Sequence, residues 1–317
     1  MSGNSGGSSW KVLGSAAALS SVLWCAGSPP ALGGEPEPQA NENPRPDPAV
    51  DPAAYFEHYS RGFRLDTREF TFTQRYFWRR LFNPTGRDRT MGAGLLMGAA
   101  VLAGGKRGIQ TEVEESDTPR RKLFFEGVQQ LGGQGVVPAV ALAFYLGGST
   151  FGGYRAKETG MLLGQSALLT AIMTGAGQFA LNEDRPREGG AIHPFKGMGH
   201  GISGHSSTSA SIAGVLSRMY LKIEPDDSRA VRGWKRVGKG FAYGTPILVG
   251  LARVNEQQHF AYNSLLGVGI GFWVSNVVVD AHESYLQGGD SRRWKPDSVG
   301  PIFDEDGNPG IGARWEF

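Results

Sequence analysis

Long apolar runs separated by short polar clusters organise the middle of the chain. Six of these runs are longer than the roughly four to eight residues of a typical strand, so their length predicts helices. They occupy residues 91–105, 132–152, 161–181, 205–220, 240–251 and 263–281. Two charged stretches between them, 106–122 and 224–239, are predicted to be solvated loops. The pattern therefore predicts an all-α domain built on six apolar helices.

The N-terminal part follows a different pattern. Lys11 precedes a short apolar run at 12–26, and small residues follow it, as in an export signal cleaved near residue 33. An uncleaved anchor and a lipid anchor on Cys25 remain open. The next segment, 34–54, is rich in proline and polar residues, which predicts a disordered linker.

The C-terminal residues 298–317 alternate between apolar and other residues on either side of an Asp-Gly-Asn-Pro turn signal. This pattern predicts a short β-hairpin. The predicted organisation is a signal or anchor at 1–33, a linker at 34–54, a helical domain at 55–297 and a hairpin at 298–317.

Two segments, 161–181 and 260–279, each hold about 20 residues without a charge, which is the length of a membrane span. The runs at 91–105 and 240–251 are too short to cross a bilayer. The mean hydropathy of the whole chain is −0.27. These features favour a helical domain associated with a membrane of the cell envelope, on its periplasmic side, and leave bilayer crossing open.

Composition narrows the function further. The chain has 317 residues, 40% of them hydrophobic, and 32 basic against 30 acidic residues give a net charge of +2. Such a balance lacks the strong basic footprint of a nucleic-acid-binding protein. A single cysteine excludes an intramolecular disulfide framework and a multi-cysteine metal site.

Three polar clusters stand at the ends of apolar runs. Arg185 and Pro186 follow the third run, Ser203-Gly204-His205 opens the fourth, and Arg253 and His259 lie between the fifth and sixth. A helix N-terminus binds anions, arginine binds phosphate oxygens through two nitrogens, and histidine transfers protons or attacks phosphorus. Each cluster alone also has an ordinary explanation as a helix end, a helix cap or a polar connection.

Together the clusters resemble the signature of the type 2 phosphatidic acid phosphatase superfamily, which also includes bacterial acid phosphatases and vanadium haloperoxidases. That signature is Lys, six residues, Arg-Pro; then Pro-Ser-Gly-His; then Ser-Arg, five residues, His, three residues, Asp. In this chain Arg185-Pro186, Ser203-Gly204-His205, and Arg253 with His259 match in order and spacing. The resemblance covers about residues 91–281 and implies the six-helix bundle of that superfamily.

The resemblance also implies a phosphatase mechanism that needs no metal or other cofactor. His259 would attack phosphorus to form a phosphohistidine, and His205 would protonate the leaving group. The oxygens of the phosphoryl group would be held by Arg185, Arg253 and the backbone N–H groups of Ser203 and Gly204. The implied substrate is a phosphate ester or diphosphate, such as phosphatidic acid, undecaprenyl diphosphate or a periplasmic phosphomonoester.

Four positions depart from the signature. Gln178 stands in place of Lys, Ile202 in place of Pro, Ala252 in place of Ser, and Asn263 in place of Asp. In the superfamily the carboxylate orients the nucleophilic histidine, so Asn263 predicts a weakened nucleophile and a gain of activity in Asn263→Asp.

The loss of a cation at Gln178 predicts weaker phosphate binding, unless Lys196 or Arg187 replaces that cation. Three functions therefore stay open. The first is an active phosphatase. The second is a pseudo-phosphatase that binds phosphate or lipid, or serves as a scaffold. The third is a vanadium-dependent peroxidase.

Overall fold

The computed structural model describes residues 63–133, 135–151, 153–197, 199–286, 298–303 and 309–314. The predicted signal segment at 1–33 and the predicted linker at 34–54 lie outside these residues. The described residues belong to two compact units. The larger unit contains Tyr76–Val279, and the smaller one contains the described parts of Glu37–Arg75 and Asp280–Phe317.

The described part of the chain is mostly helical, which agrees with the predicted all-α class. Its α-helices are α1 Phe63–Phe82, α2 Gly86–Gly104, α3 Lys106–Glu115, α4 Pro119–Gln129, α5 Val136–Phe151, α6 Tyr154–Leu181, α7 Gly204–Tyr220, α8 Arg229–Asn255 and α9 Ala261–Leu286. Short 3₁₀-helices follow α4 at Gln130–Gly132 and α6 at Pro186–Glu188. Each of the six apolar runs lies largely within one helix, in the order α2, α5, α6, α7, α8 and α9.

The prediction of a loop at 106–122 is wrong. Lys106–Glu115 forms α3, which buries Gln110 and Val113 on one face, whereas Arg107, Glu114 and Glu115 are exposed. Thr118 then caps α4 by accepting a hydrogen bond from the backbone N–H of Arg121, and proline occupies the first helical position. Charged residues outnumber apolar ones in 106–122, so the sequence pattern did not reveal the narrow buried face of α3.

The prediction of a loop at 224–239 is wrong from residue 229 onward. The side chain of Ser228 accepts a hydrogen bond from the backbone N–H of Val231, which caps the N-terminus of α8. The helix then continues without interruption to Asn255. The run at 240–251 is therefore the apolar half of a helix of 27 residues.

A buried apolar cluster joins α1, α5, α6, α7 and α9 within the larger unit. Its members are Phe77, Ala141, Leu162, Leu163, Leu169, Val215, Val274, Val277, Val278 and Val279. Two glycines let backbones approach closely beside this core. A Cβ on Gly267 of α9 would lie 2.5 Å from the carbonyl oxygen of Ser203, and one on Gly132 would lie 2.5 Å from that of His205. Both contacts fix the start of α7.

The smaller unit has its own buried polar pair. The Nδ1 atom of His282 lies 2.5 Å from the carboxylate of Glu69, and both side chains are buried. Phe72 and Tyr285 pack beside them with ring centroids 5.5 Å apart. Further along the chain, strands β1 Ser298–Phe303 and β2 Pro309–Arg314 pair antiparallel, with Ser298 opposite Arg314.

Two helical segments of the described chain, Arg155–Leu181 and Ala261–Leu286, are long and apolar enough to cross a membrane. A third span is possible if Pro119–Gly132 and Val136–Phe151, which meet at an angle of 50°, count as one. The two clear candidates contain the segments 161–181 and most of 260–279 that the sequence indicated. These helices support association of the protein with a membrane.

Candidate active site

The turn after α8 places His259 close to Arg253. The carbonyl oxygen of Arg253 accepts hydrogen bonds from the backbone N–H groups of Gln258, at 3.0 Å, and His259, at 3.3 Å. Gln257 has a φ angle of 53°, in the left-handed region that reverses the chain. The helix therefore ends by folding its last polar residues back on Arg253.

The second cluster is held at the N-terminus of α7. The Oγ atom of Ser203 accepts hydrogen bonds from the backbone N–H of Ser206, at 3.4 Å, and from its hydroxyl, at 2.9 Å. The backbone N–H of Ser203 in turn donates to the carbonyl oxygen of Asn263 at 3.1 Å. Gly204 and His205 thus begin a helix whose positive dipole end lies beside the start of α9.

The first cluster follows the end of α6. Asn182 closes the helix in the left-handed region, with a φ angle of 39°. Arg185 lies 3.9 Å from Glu188. One turn before the helix end, the Nε2 atom of Gln178 donates to the carbonyl oxygen of Ile202 at 2.9 Å. Two of the residues that depart from the signature therefore bind each other and join the first cluster to the second.

Electrostatic interactions link the three clusters. Burial, together with a smaller effect of the positive charge of Arg253, lowers the pKa of His205 to about 4. Burial and Arg253 likewise lower the pKa of His259 to about 3. The pKa of Arg253 is lowered by burial and by the charges of Arg185 and Arg187. Three arginines and two neutral histidines thus share one region, which suits an anion.

The hydrogen bond of His259 defines which of its nitrogens is free. Its Nδ1 atom lies 3.2 Å from the carbonyl oxygen of Gly201. A carbonyl oxygen only accepts, so Nδ1 carries the proton of the neutral ring. The Nε2 atom then keeps its lone pair, which is the form that a nucleophile requires.

Arg253 is bound by neighbouring side chains at its Nη1 atom. Its Nη1 atom donates to Gln129 Oε1 at 2.6 Å and lies 3.6 Å from the carboxylate of Glu256. Its Nε atom is buried without a hydrogen-bond partner among the described residues. Burial raises the pKa of Glu256, whereas Arg253 lowers it. The unpaired Nε–H group is a donor that an oxyanion would satisfy.

Asn263 lies close to the second cluster and to a carboxylate that the sequence did not single out. Its Nδ2 atom donates to Glu183 Oε2 at 2.6 Å, and Asn263 is 1% exposed. Glu183 also binds Lys106, which belongs to α3 in the segment predicted as a loop. Sequence reasoning missed Glu183, Lys106 and Gln129, because only the fold brings them to the clusters.

The sequence was compared with known families, curated proteins and solved structures. The family model of the PAP2 superfamily matches residues 159–285, which contain all eight predicted site residues. The resemblance stated from the motifs is thereby confirmed over this segment. No curated protein matches the chain. One similar solved structure is a transmembrane PAP2-type phosphatidylglycerolphosphate phosphatase from Bacillus subtilis, with 18% identity and a TM-score of 0.46; the match covers 61% of this chain and 96% of that one.

Proposed function

Residues 159–285 match the PAP2 superfamily, and from that premise we propose that the protein is a phosphatase that acts on a lipid phosphate. The reaction is hydrolysis of a phosphate ester or diphosphate through a phosphohistidine. Six helices, α2 and α5 to α9, form the functional core in this proposal. It corresponds to the predicted family core at about 91–281.

His259 is the nucleophile. Its Nε2 lone pair attacks phosphorus, a N–P bond forms, and the bond from phosphorus to the leaving oxygen breaks. His205 gives its proton to that oxygen. Water then attacks the phosphohistidine, with His205 as the base, and phosphate leaves while His259 recovers its lone pair.

The low pKa of His205 in the free protein is compatible with its role as an acid. Burial and Arg253 keep the ring neutral when no anion is bound. A phosphate dianion in the site would add negative charge beside His205 and raise its pKa, because an opposite charge favours the protonated form. Substrate binding itself thus prepares the proton donor.

Arginines hold the phosphoryl oxygens. Arg253 offers its unpaired Nε–H group, and Arg185 approaches from the first cluster. The N–H group of Gly204 adds the positive end of α7. The N–H group of Ser203, which was predicted to join it, instead donates to the carbonyl oxygen of Asn263 at 3.1 Å. Arg187 adds positive charge in the region of Arg253, whose pKa it lowers.

A lipid phosphate suits the two membrane-span candidates. His259 and Arg253 precede α9, near the N-terminal end of the span candidate Ala261–Leu286. A lipid headgroup at the bilayer surface would therefore lie close to the site. The signal-like sequence at the N-terminus supports a location in the cell envelope, with the site on the periplasmic side.

One observation carries the proposal. The guanidinium of Arg253 acts on both His205 and His259, although the two histidines come from different helix ends 54 residues apart along the chain. An arginine within electrostatic range of two neutral histidines provides an anion ligand, a nucleophile and a proton donor in one region.

The test is phosphate release by the purified full-length protein in detergent, with an aryl phosphate and a short-chain phosphatidic acid as substrates. Arg253→Ala serves as the comparison variant. Release that depends on Arg253 supports the proposal. Wild-type protein that releases no phosphate from either substrate contradicts it.

A binding protein is the second candidate, favoured by the amide of Asn263 in place of a carboxylate. It predicts that vanadate or phosphate binds with no turnover. Vanadate binding measured in the same preparation separates this outcome from a protein that has no anion site. Halide oxidation that depends on vanadate would instead identify a peroxidase.

A further inference from the structure

Glu183 is a buried carboxylate that the mechanism above does not use. It is 1% exposed, and its oxygens are bound by Lys106 Nζ at 3.0 Å, by Asn263 Nδ2 at 2.6 Å and by the hydroxyl of Tyr262. A buried charge is costly unless it is paired and fully hydrogen-bonded. These three donors meet that requirement for the carboxylate of Glu183.

Lys106 is itself held in place. Its ammonium also donates to the carbonyl oxygen of Gly190 at 3.2 Å and lies 4.6 Å from the ring centroid of Phe260. Phe260 directly follows His259 in the chain. The ion pair of Lys106 and Glu183 therefore packs against the residue that follows the nucleophile.

Glu183 also closes a ring of hydrogen bonds around the loop that orients His259. Its backbone carbonyl accepts from the N–H of His200 at 3.0 Å, and its side chain holds Asn263. The carbonyl of Asn263 accepts from the N–H of Ser203 at 3.1 Å. Both ends of the loop 200–203 are thus tied, directly or through Asn263, to Glu183.

The carbonyl inside that loop is the one that binds the nucleophile. Gly201 lies between His200 and Ser203, and its oxygen accepts from His259 Nδ1. A change in the hydrogen bonds around the loop 200–203 would move the Gly201 oxygen. The imidazole of His259 would then lose the contact that fixes its tautomer and orientation. We propose that Glu183, acting through Asn263 and the loop 200–203, is the positioning residue of His259. This inference rests on the proposed phosphatase function.

The same arrangement explains why an amide is suited to position 263. An aspartate there would place a second carboxylate about 2.6 Å from Glu183 Oε2, where like charges repel. Asn263 instead donates to Glu183, while its Oδ1 atom is buried with no partner among the described residues. The negative charge behind the nucleophile is therefore carried by residue 183 and not by residue 263.

The experiment compares wild type with Glu183→Gln, Asn263→Asp and the double variant Glu183→Gln/Asn263→Asp. The full-length proteins are assayed in detergent for kcat, KM, vanadate affinity and unfolding temperature. We expect Glu183→Gln and Asn263→Asp each to lower kcat about tenfold to a hundredfold, because each loses one hydrogen bond to a charged group. KM should change less than about threefold. The double variant moves the carboxylate from residue 183 to residue 263 and so keeps a single negative charge. Its kcat should be at least about tenfold higher than that of Asn263→Asp.

Asp227→Asn is the matched control, because Asp227 pairs with Lys235 at 2.7 Å and neither residue belongs to the site. It leaves kcat unchanged. An unchanged kcat in Glu183→Gln would overturn the inference, and so would a double variant no better than Asn263→Asp. A loss of kcat that merely follows a loss of unfolding temperature would also overturn it.

Vanadate affinity keeps the inference separate from the proposed function. If the wild type binds vanadate but releases no phosphate, the phosphatase proposal fails. The positioning role then stands only if Glu183→Gln weakens vanadate binding about tenfold or more while Asp227→Asn does not. If the wild type neither binds vanadate nor releases phosphate, both fail.

Discussion

The Nδ1 atom of His259 lies 3.2 Å from the carbonyl oxygen of Gly201, so the ring is held as the tautomer whose Nε2 lone pair is free. Substitution of His259 by alanine removes that lone pair. We expect phosphate release to fall by at least about a thousandfold, as for other enzymes that lose their nucleophile. The measurement is kcat for an aryl phosphate in wild type and His259→Ala.

His193→Ala is the control for that variant. His193 is 46% exposed and lies 3.4 Å from Asp184, so its imidazole belongs to the surface and not to the site. Its loss is expected to leave kcat within about twofold, since surface changes are usually small. Equal losses in the two variants would assign the effect to folding and not to chemistry.

Acid should destabilise the folded protein through its buried histidines. The pKa of His259 falls from 6.5 to about 3 on folding, mainly through burial. The unfolded chain therefore binds more protons below pH 6.5. The contribution of this neutral histidine is complete above about pH 6.5 and is lost progressively as the pH falls toward 3, by about 1.4 kcal/mol per pH unit.

Unfolding in detergent between pH 7.5 and pH 5 measures this effect. Wild type should lose stability toward pH 5, and His259→Gln, which has no titrating ring at that position, should lose less. Vanadate should offset part of the loss by stabilising the folded form. Identical pH slopes in wild type and His259→Gln would show that His259 does not stay neutral.

Gln178→Lys should strengthen anion binding. The Nε2 atom of Gln178 lies 2.9 Å from the carbonyl oxygen of Ile202, and a lysine could keep this contact while adding a positive charge near α7. We expect the Kd for vanadate to fall about tenfold or more, as for a hydrogen bond to a charged group. Gln178→Met, which loses the donor, should not tighten binding, and equal affinities in both variants would place residue 178 outside the anion site.

Glu256→Gln should also strengthen binding, for the opposite reason. The carboxylate of Glu256 lies 3.6 Å from Arg253 Nη1 and competes with an incoming oxyanion for that guanidinium. Its neutralisation leaves Arg253 more positive toward the ligand. A severalfold decrease in Kd by calorimetry is expected, and weaker binding would mean that Glu256 holds Arg253 in its productive orientation instead.

Much of the helical architecture follows from residue patterns close together in the chain. The six apolar runs locate α2 and α5 to α9 because their length alone distinguishes them from strands. The helix α3 was missed because its charged residues hide a narrow buried face formed by Gln110 and Val113. The start of α4 was missed because this helix buries no residue and gives no apolar pattern. Thr118 and Ser228 each cap a helix, but a single capping residue among charged residues did not distinguish a helix start from a loop.

The candidate site divides in the same way. Arg185, His205, Arg253 and His259 could be selected from residue type and motif spacing, and the electrostatic interactions group them. Glu183 could not, although it stands two residues before Arg185, because its partners Lys106 and Asn263 are 77 and 80 residues away along the chain. A carboxylate gains a role in the site only when folding removes it from water and pairs it.

That pairing also changes an expectation drawn from the motif alone. By the motif, Asn263→Asp should restore a missing carboxylate and raise activity. In the structure the new carboxylate would face Glu183, so the single change is now predicted to lower activity and only the exchange of both residues to recover it. The two predictions have opposite signs.

The most direct test of the central claim is to trap the phosphorylated enzyme. Wild type and His259→Ala are mixed with a ³²P-labelled substrate, quenched in alkali, in which phosphohistidine is stable, and digested for mass spectrometry. The account predicts one phosphate on the peptide that contains His259, lost on acid treatment and absent from His259→Ala. The account would be contradicted if His259→Ala released phosphate as fast as the wild type and the wild type carried no label on this peptide.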